Sequence, residues 1–340
     1  MLYVTTRITD DAFTANRALS DNCGPKGGLF VPMRIPSFER QQIAQLKENS
    51  FSQNVANILN LLFGTKLDGW AVEFGIGRYP VKLVSLNGKV TIAESWHNPV
   101  WRFDRLVSGA EKAIRQSDQI SKQPSDWLKI AVRISVLFGC VGMMMQDDTL
   151  PAGQTVDIAV SGDDLSALMS AWYARSWGLP ISTIIFCCSE NSNLWGFLHR
   201  GEFRTDEFRT EPEVLFGLER LIFASLGERE TIRFCDACHA GGIYKVESEQ
   251  LKKLRAGIHV SVVSEKRMAS TIPNLYKTTH FIASPYTALA YSGLIDYRAA
   301  AGENRPALIL SEESPAFSSQ FVAECMGIDV GELKSKLQTE

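Results

Sequence analysis

Three short stretches of this chain carry residue types whose spacing could do chemistry. His97 stands behind a strand-like segment, at the head of His97-Asn98-Pro99-Val100-Trp101-Arg102-Phe103-Asp104. An imidazole there can move a proton near neutral pH, or can be a buried, hydrogen-bonded structural histidine, and both readings stay open. Ser161-Gly162-Asp163-Asp164 follows a second strand and opens a helix. Asp is a favoured N-cap residue, so Asp163 and Asp164 read either as caps or as lining of a cleft. Cys235-Asp236-Ala237-Cys238-His239 spells the attachment pattern of haem c, which requires export of the chain. A zinc site would need further ligands, and His259, His280 and Cys187-Cys188 stand at no recognised spacing. Cys235, Cys238 and His239 are therefore weak metal candidates, with chance spacing the plainer reading, and no metal is expected.

The elements that must position these residues alternate. Lys89 to Ser95 and Thr155 to Val160 read as strands. Phe103 to Arg115, Trp127 to Met145 and the segment after Pro212 read as helices, as does the stretch from Ser161-Gly162-Asp163-Asp164 to Trp177. Ile181 to Cys188 is a continuous apolar strand, as expected where helices cover both faces of a sheet. A short helix over Gln250 to Leu254 and a strand at Leu308-Ile309-Leu310 follow. Such alternation predicts an α/β fold with a doubly wound, mostly parallel sheet. The first eighty residues differ in texture. A β-prone start at Tyr3-Val4-Thr5-Thr6-Arg7, a glycine turn before Leu29-Phe30-Val31-Pro32 and a helix over 51–63 predict a small N-terminal α+β unit. The division is 1–80 and 81–340. Trp172, Tyr173 and Trp177 read as core aromatics, and Glu228-Arg229-Glu230 as a solvated face.

Composition narrows the function classes. The 340 residues are 45% hydrophobic and 21% charged, with a net charge of −3, so no basic footprint for nucleic acid or an anionic membrane exists. Ile130 to Met145 is the most apolar long stretch, but Arg133 interrupts it, and a buried helix is the expectation rather than a membrane span. Seven cysteines and no apolar leader at the start point to reduced thiols in a cytoplasmic protein.

Several segments in order resemble threonine synthase, a pyridoxal phosphate (PLP) enzyme of fold type II, the tryptophan synthase beta class. Gly27-Gly28-Leu29-Phe30-Val31-Pro32 is similar to that family's "GGLFVP", and Leu218-Glu219-Arg220-Leu221-Ile222-Phe223 to its "ERLLF" helix. Ser189-Glu190-Asn191-Ser192-Asn193 and Phe197-Leu198-His199-Arg200-Gly201 resemble its asparagine turn and "FLxxG" helix end. Ser284-Pro285-Tyr286-Thr287-Ala288 resembles "DPHTA", and Ser311-Glu312-Glu313-Ser314-Pro315-Ala316-Phe317 resembles "STAHPAKF". The His97 motif is similar to the signature in which His-Gly-Pro, three residues and a Phe precede the lysine that carries PLP.

The departures fall where the resemblance puts the chemistry. Asp104 stands at the Schiff-base lysine, and a carboxylate cannot supply the amine. Ser161-Gly162-Asp163-Asp164 resembles the phosphate loop "SGNFGN", with two carboxylates opposing an anion there, or else is the remnant of the family's substrate loop "SGDTG"; the first alignment is preferred because the strand and the Asn191 turn follow it directly. Glu312 replaces the Thr that the family turns to the pyridine nitrogen, and Ser314 replaces a His. The interval from Asp104 to Ser161, mostly helical, cannot hold the family's further α/β lobe, since one βαβ unit takes about thirty residues. Lys112, Lys89 and Lys129 read as surface lysines rather than replacements. The expectation is a threonine-synthase-like protein without covalent PLP catalysis and without a required cofactor. It would be a binding or partner-scaffold protein, with His97, Ser161, Gly162, Asn191, Glu312 and Ser314 as its residual pocket. A PLP-dependent lyase acting on a phosphorylated or O-substituted amino acid is the alternative, and a small-molecule sensor of amino acids a second one. A protein partner or a second copy of the chain, or a small amino-acid ligand, is the expected partner.

Overall fold

The computed structural model describes residues 1–76, 81–96, 103–115, 125–162, 165–190, 192–205 and 212–339. The chain opens with a three-stranded antiparallel sheet, β1 (Leu2–Thr5), β2 (Ile8–Thr14) and β3 (Phe30–Pro32), in the order β2-β1-β3. Helices α1 (Ala15–Ser20), α2 (Arg40–Ala44), α3 (Phe51–Phe63) and α4 (Gly69–Ile76) complete the first part of the chain, with α1 packed on β1 and β2. The limits of α3 have local causes. The Ser50 side chain accepts from the Gln53 N–H at its start, and Gly64 takes the left-handed conformation at its end. Val55, Ile58, Leu59, Leu62 and Phe63 are buried, and the Tyr3 hydroxyl donates to the Leu62 carbonyl at 2.9 Å, seating α3 on β1.

The main sheet has the order β10-β7-β6-β11-β5-β4. Its strands are β4 (Lys82–Leu86), β5 (Val90–Glu94), β6 (Val156–Ser161), β7 (Ile181–Ser189), β10 (Ile258–Val263) and β11 (Ala307–Ser311). All neighbours run parallel except the β4–β5 edge pair. Alternate residues feed two cores, because successive side chains of a strand point to opposite faces. Ile158, Val160, Ile184, Phe186, Cys188 and Leu308 join one core; Ala159, Ile185, Cys187, Ala307 and Ile309 join the other. Helices α5 (Phe103–Arg115), α6 (Asp126–Gln146) and α7 (Leu165–Ser176) cover the first face. Helices α12 (Glu265–Thr279), α13 (Pro285–Ala301), α14 (Ser319–Met326) and α15 (Val330–Thr339) cover the second. Between β7 and β10 lie α8 (Asn193–Arg200), β8 (Glu202–Arg204), α9 (Pro212–Leu226), α10 (Glu228–Ala240), β9 (Ile243–Lys245) and α11 (Ser248–Leu254). The α/β class and the mostly parallel, two-faced sheet are as the alternation predicts.

Helix α6 is the central one. Ser125 caps it, accepting from the Leu128 N–H at 3.2 Å. It alone among the described helices is long and apolar enough to cross a membrane, yet 83% of that window is buried inside the protein. Its Gly142 lets the neighbouring backbone in: a Cβ there would lie 2.8 Å from the Leu46 carbonyl oxygen. Between Asp104 and Ser161 the described residues hold α5 and α6 and no strand before β6.

Two sequence expectations need correction. Lys89 is not the start of a strand but sits in the β4–β5 turn with φ +60°, because the chain reverses there. Glu228-Arg229-Glu230 is not simply a solvated face. Glu228 accepts from the Thr9 backbone and hydroxyl, and Glu230 accepts from Arg233 and the Tyr244 hydroxyl. Only Arg229 is exposed. The α10 helix brings these carboxylates back onto β2 and β9.

Candidate functional site

In open α/β sheets, ligand sites form outside the carboxyl ends of the parallel strands. Here β5, β11 and β6 are adjacent, and their carboxyl ends carry Ser95, Ser311-Glu312 and Ser161-Gly162. The three segments to which the resemblance assigns lysine, pyridine nitrogen and phosphate loop therefore end side by side. His97, Asp163, Asp164 and Asn191 lie outside the described residues.

At this end of the sheet a buried cation, Arg133, reaches in from α6. Its Nε and Nη2 donate to the two Glu312 carboxylate oxygens at 2.7 and 2.6 Å, a bidentate pair. Its Nη1 donates to the Ser166 hydroxyl, and its guanidinium lies 4.2 Å from the centre of the Phe103 ring. The Arg133 side chain is 6% exposed and that of Glu312 22%. The Phe103 N–H also donates to the Glu312 carbonyl at 3.1 Å, fastening the start of α5 to the segment after β11.

The neighbouring hydroxyls are engaged as well. Ser311 Oγ accepts from Thr287 Oγ1 at 2.9 Å and from Trp96 Nε1 at 3.2 Å, while its carbonyl receives the Ser95 N–H and hydroxyl. Ser314 is fully buried, and its hydroxyl accepts from the Ala316 N–H to cap a 3₁₀ turn. Ser161 is half-buried at the end of β6. Gly162 is buried against β7, where a Cβ would stand 2.6 Å from the Cys187 carbonyl oxygen. Close approach of two strands, rather than a positive φ, requires glycine at this position.

Do these residues fit PLP? Asp104 is exposed in the first turn of α5, with its carbonyl accepting from Ser108 Oγ at 2.9 Å. Among the described residues no lysine is buried. Lys89 sits before β5, about 16 Å from the carboxyl end of that strand at about 3.3 Å per residue. Lys112 is half-buried two turns along α5. Lys129 has more context than its sequence suggests: it is half-buried one turn before Arg133, about 6 Å along the helix axis. The carboxylate of Glu312, which the resemblance sets in the place of the pyridine-nitrogen partner, has both oxygens on Arg133. The described residues do not fit a Schiff-base-bound PLP.

The cysteine candidates are elsewhere. Cys235 is buried, Cys238 half-buried and His239 exposed on α10, and no group of three or more His, Cys, Asp or Glu among the described residues could hold a metal. Burial pushes the Cys235 thiol up to about 12 and the Cys238 thiol to about 11, so both stay protonated at neutral pH. All seven cysteines are free thiols. A cavity of about 500 Å³ lies at the opposite, amino end of the sheet, between α2 and the end of α6, with Phe38, Arg40, Ile43, Asp148 and Leu150 in its wall.

The sequence offered Glu312 and Ser161 only as pocket candidates by resemblance, and it did not single out Arg133, Ser166 or Ser311 as site residues. One signal was legible for the first: Arg133 is a lone cation in the most apolar stretch of the chain.

Comparison with known proteins agrees with this architecture. Residues 2–71 match the family described as threonine synthase N terminus. A threonine synthase of Pseudomonas aeruginosa is 24% identical over 144 residues, a stretch covering 40% of this chain and 31% of that protein. The PLP-bound threonine synthase of Brucella melitensis superposes with a TM-score of 0.80 at 16% identity, covering 96% of this chain and 92% of the other. Yeast threonine synthase gives 0.80 at 14% identity, covering 96% and 90%, and that of Escherichia coli 0.72 at 15%, covering 96% and 92%. The chain is similar to the threonine synthase N terminus over residues 2–71 and has the fold of these solved threonine synthases.

Proposed function

We propose that this protein is a binding or scaffold protein on the threonine synthase fold, without covalent PLP chemistry. One observation supports the reading: Arg133 clasps both oxygens of Glu312, the residue that the resemblance sets at the pyridine position, while Asp104 is the residue it sets at the amine position. Elimination and replacement at an amino acid held on PLP need an amine to anchor the cofactor and a base to move protons, and one lysine does both in the reaction the resemblance implies. Function follows the residues of the site and not the fold that displays them. The protein's ligand is then a small amino acid or a protein partner held non-covalently at the same sheet end.

The test is spectroscopic. Purified protein incubated with PLP should show no aldimine band in the visible and no lysine labelled after borohydride. A bleachable yellow preparation with label on a lysine, Lys129 being the first to inspect, would establish the lyase alternative instead. A thermal-shift screen with free amino acids then separates ligand from partner, since a ligand at a hundred times its Kd adds about 2.7 kcal/mol to stability.

A further inference from the structure

We propose that Arg133 and Glu312 form an internal latch that takes over the structural role of a cofactor, joining three segments at the carboxyl end of the sheet and keeping PLP out even as a non-covalent ligand. The inference rests on the proposed absence of Schiff-base chemistry and extends it to binding.

The latch is costly unless its partners are all present. A guanidinium on a buried, apolar helix loses its water, and only a well-formed pair with further hydrogen bonds restores the balance. Arg133 has such a set: both Glu312 oxygens at 2.7 and 2.6 Å, the Ser166 hydroxyl, and the Phe103 ring at 4.2 Å. The partners come from three separate pieces of chain. Phe103 begins α5, directly before Asp104; Ser166 lies in the first turn of α7, four residues after Gly162; Glu312 follows β11. These are the pieces that, by resemblance, would hold the lysine, the phosphate and the pyridine nitrogen. In a cofactor-bound fold one ligand ties them together; here one side chain does.

Exclusion follows from the same geometry. A pyridine ring that docks on Glu312 must displace a bidentate guanidinium from both carboxylate oxygens. Breaking one side of a buried pair in that way weakens an equilibrium by about a hundredfold to several thousandfold.

A double-mutant cycle on the full chain tests the latch. The unfolding constants of the wild type, Arg133→Leu, Glu312→Gln and the double variant should show coupling of tenfold or more, with the double variant less damaged than the product of the singles. Should Arg133→Leu fail to fold, Arg133→Lys supplies the cycle, because an ammonium keeps the charge but cannot make the fork. Effects that multiply within twofold would overturn the latch. In parallel, millimolar PLP should leave the wild-type melting temperature unchanged. A rise with no lysine labelled by borohydride overturns the latch alone, whereas a labelled lysine overturns the proposed function beneath it.

Discussion

Gly162→Ala is the sharpest single perturbation of this end of the sheet, because the structure names what the new methyl would strike. The added Cβ falls 2.6 Å from the Cys187 carbonyl oxygen, 2.8 Å from the Cys188 Cα and 2.9 Å from the Cys188 Sγ. Ordinary contact needs about 3.5–4.0 Å between carbons, so all three are clashes. Two of the three atoms are backbone of β7, hydrogen-bonded between β6 and β10, and cannot swing aside. Overpacking of this kind costs about 1–3 kcal/mol, or about 5- to 150-fold in the unfolding constant. The assay is urea unfolding followed by tryptophan fluorescence, with the midpoint compared at equal slope. Cys188→Ala supplies the internal control. It removes only the sulfur contact, so the carbonyl and Cα clashes persist and Gly162→Ala stays destabilising in its background. A cost below about 0.5 kcal/mol, or full rescue by Cys188→Ala, would refute the argument that β7 backbone dictates this glycine.

Two further outcomes are expected. Arg220 is fully buried, donates to Asp126 and to the Phe30 carbonyl, and so pins β3 to α6 and α9. Asp126→Leu strands that guanidinium and should cost about 3–5 kcal/mol in chemical denaturation, whereas Asp126→Leu with Arg220→Met should be clearly milder; equal losses would sink the reasoning. His259 on β10 is half-buried beside the Tyr297 ring, and burial, with the Arg255 charge second, holds its imidazole below the ordinary 6.5. The native state thus binds fewer protons than the unfolded chain between that lowered value and 6.5, so its contribution is present above 6.5 and is lost as pH falls through the window. His259→Gln should flatten the acid limb of the stability profile between pH 7.5 and 5; an unchanged limb refutes it.

How far the sequence reached varies from segment to segment. Phe51–Phe63, Asp126–Gln146 and Ile181–Ser189 were legible because burial imposes a period or an unbroken apolar run on each of them. The β4–β5 hairpin was not, since Asn87-Gly88-Lys89 precedes a strand that could equally have begun at Lys89. Glu312 stood out as a departure, but nothing in its neighbourhood along the chain named its partner, 179 positions away.

The sequence by itself determined the class of fold, that Asp104 and not a lysine follows Phe103, and how little chain lies between α5 and β6, all matters of residue type and count. Only the tertiary structure decided that Arg133 reaches Glu312, that Gly162 answers to the backbone of β7 and that Ser314 is a buried cap. Those are consequences of which strand ends lie side by side, and strand order is set by packing across the whole sheet rather than by any local pattern.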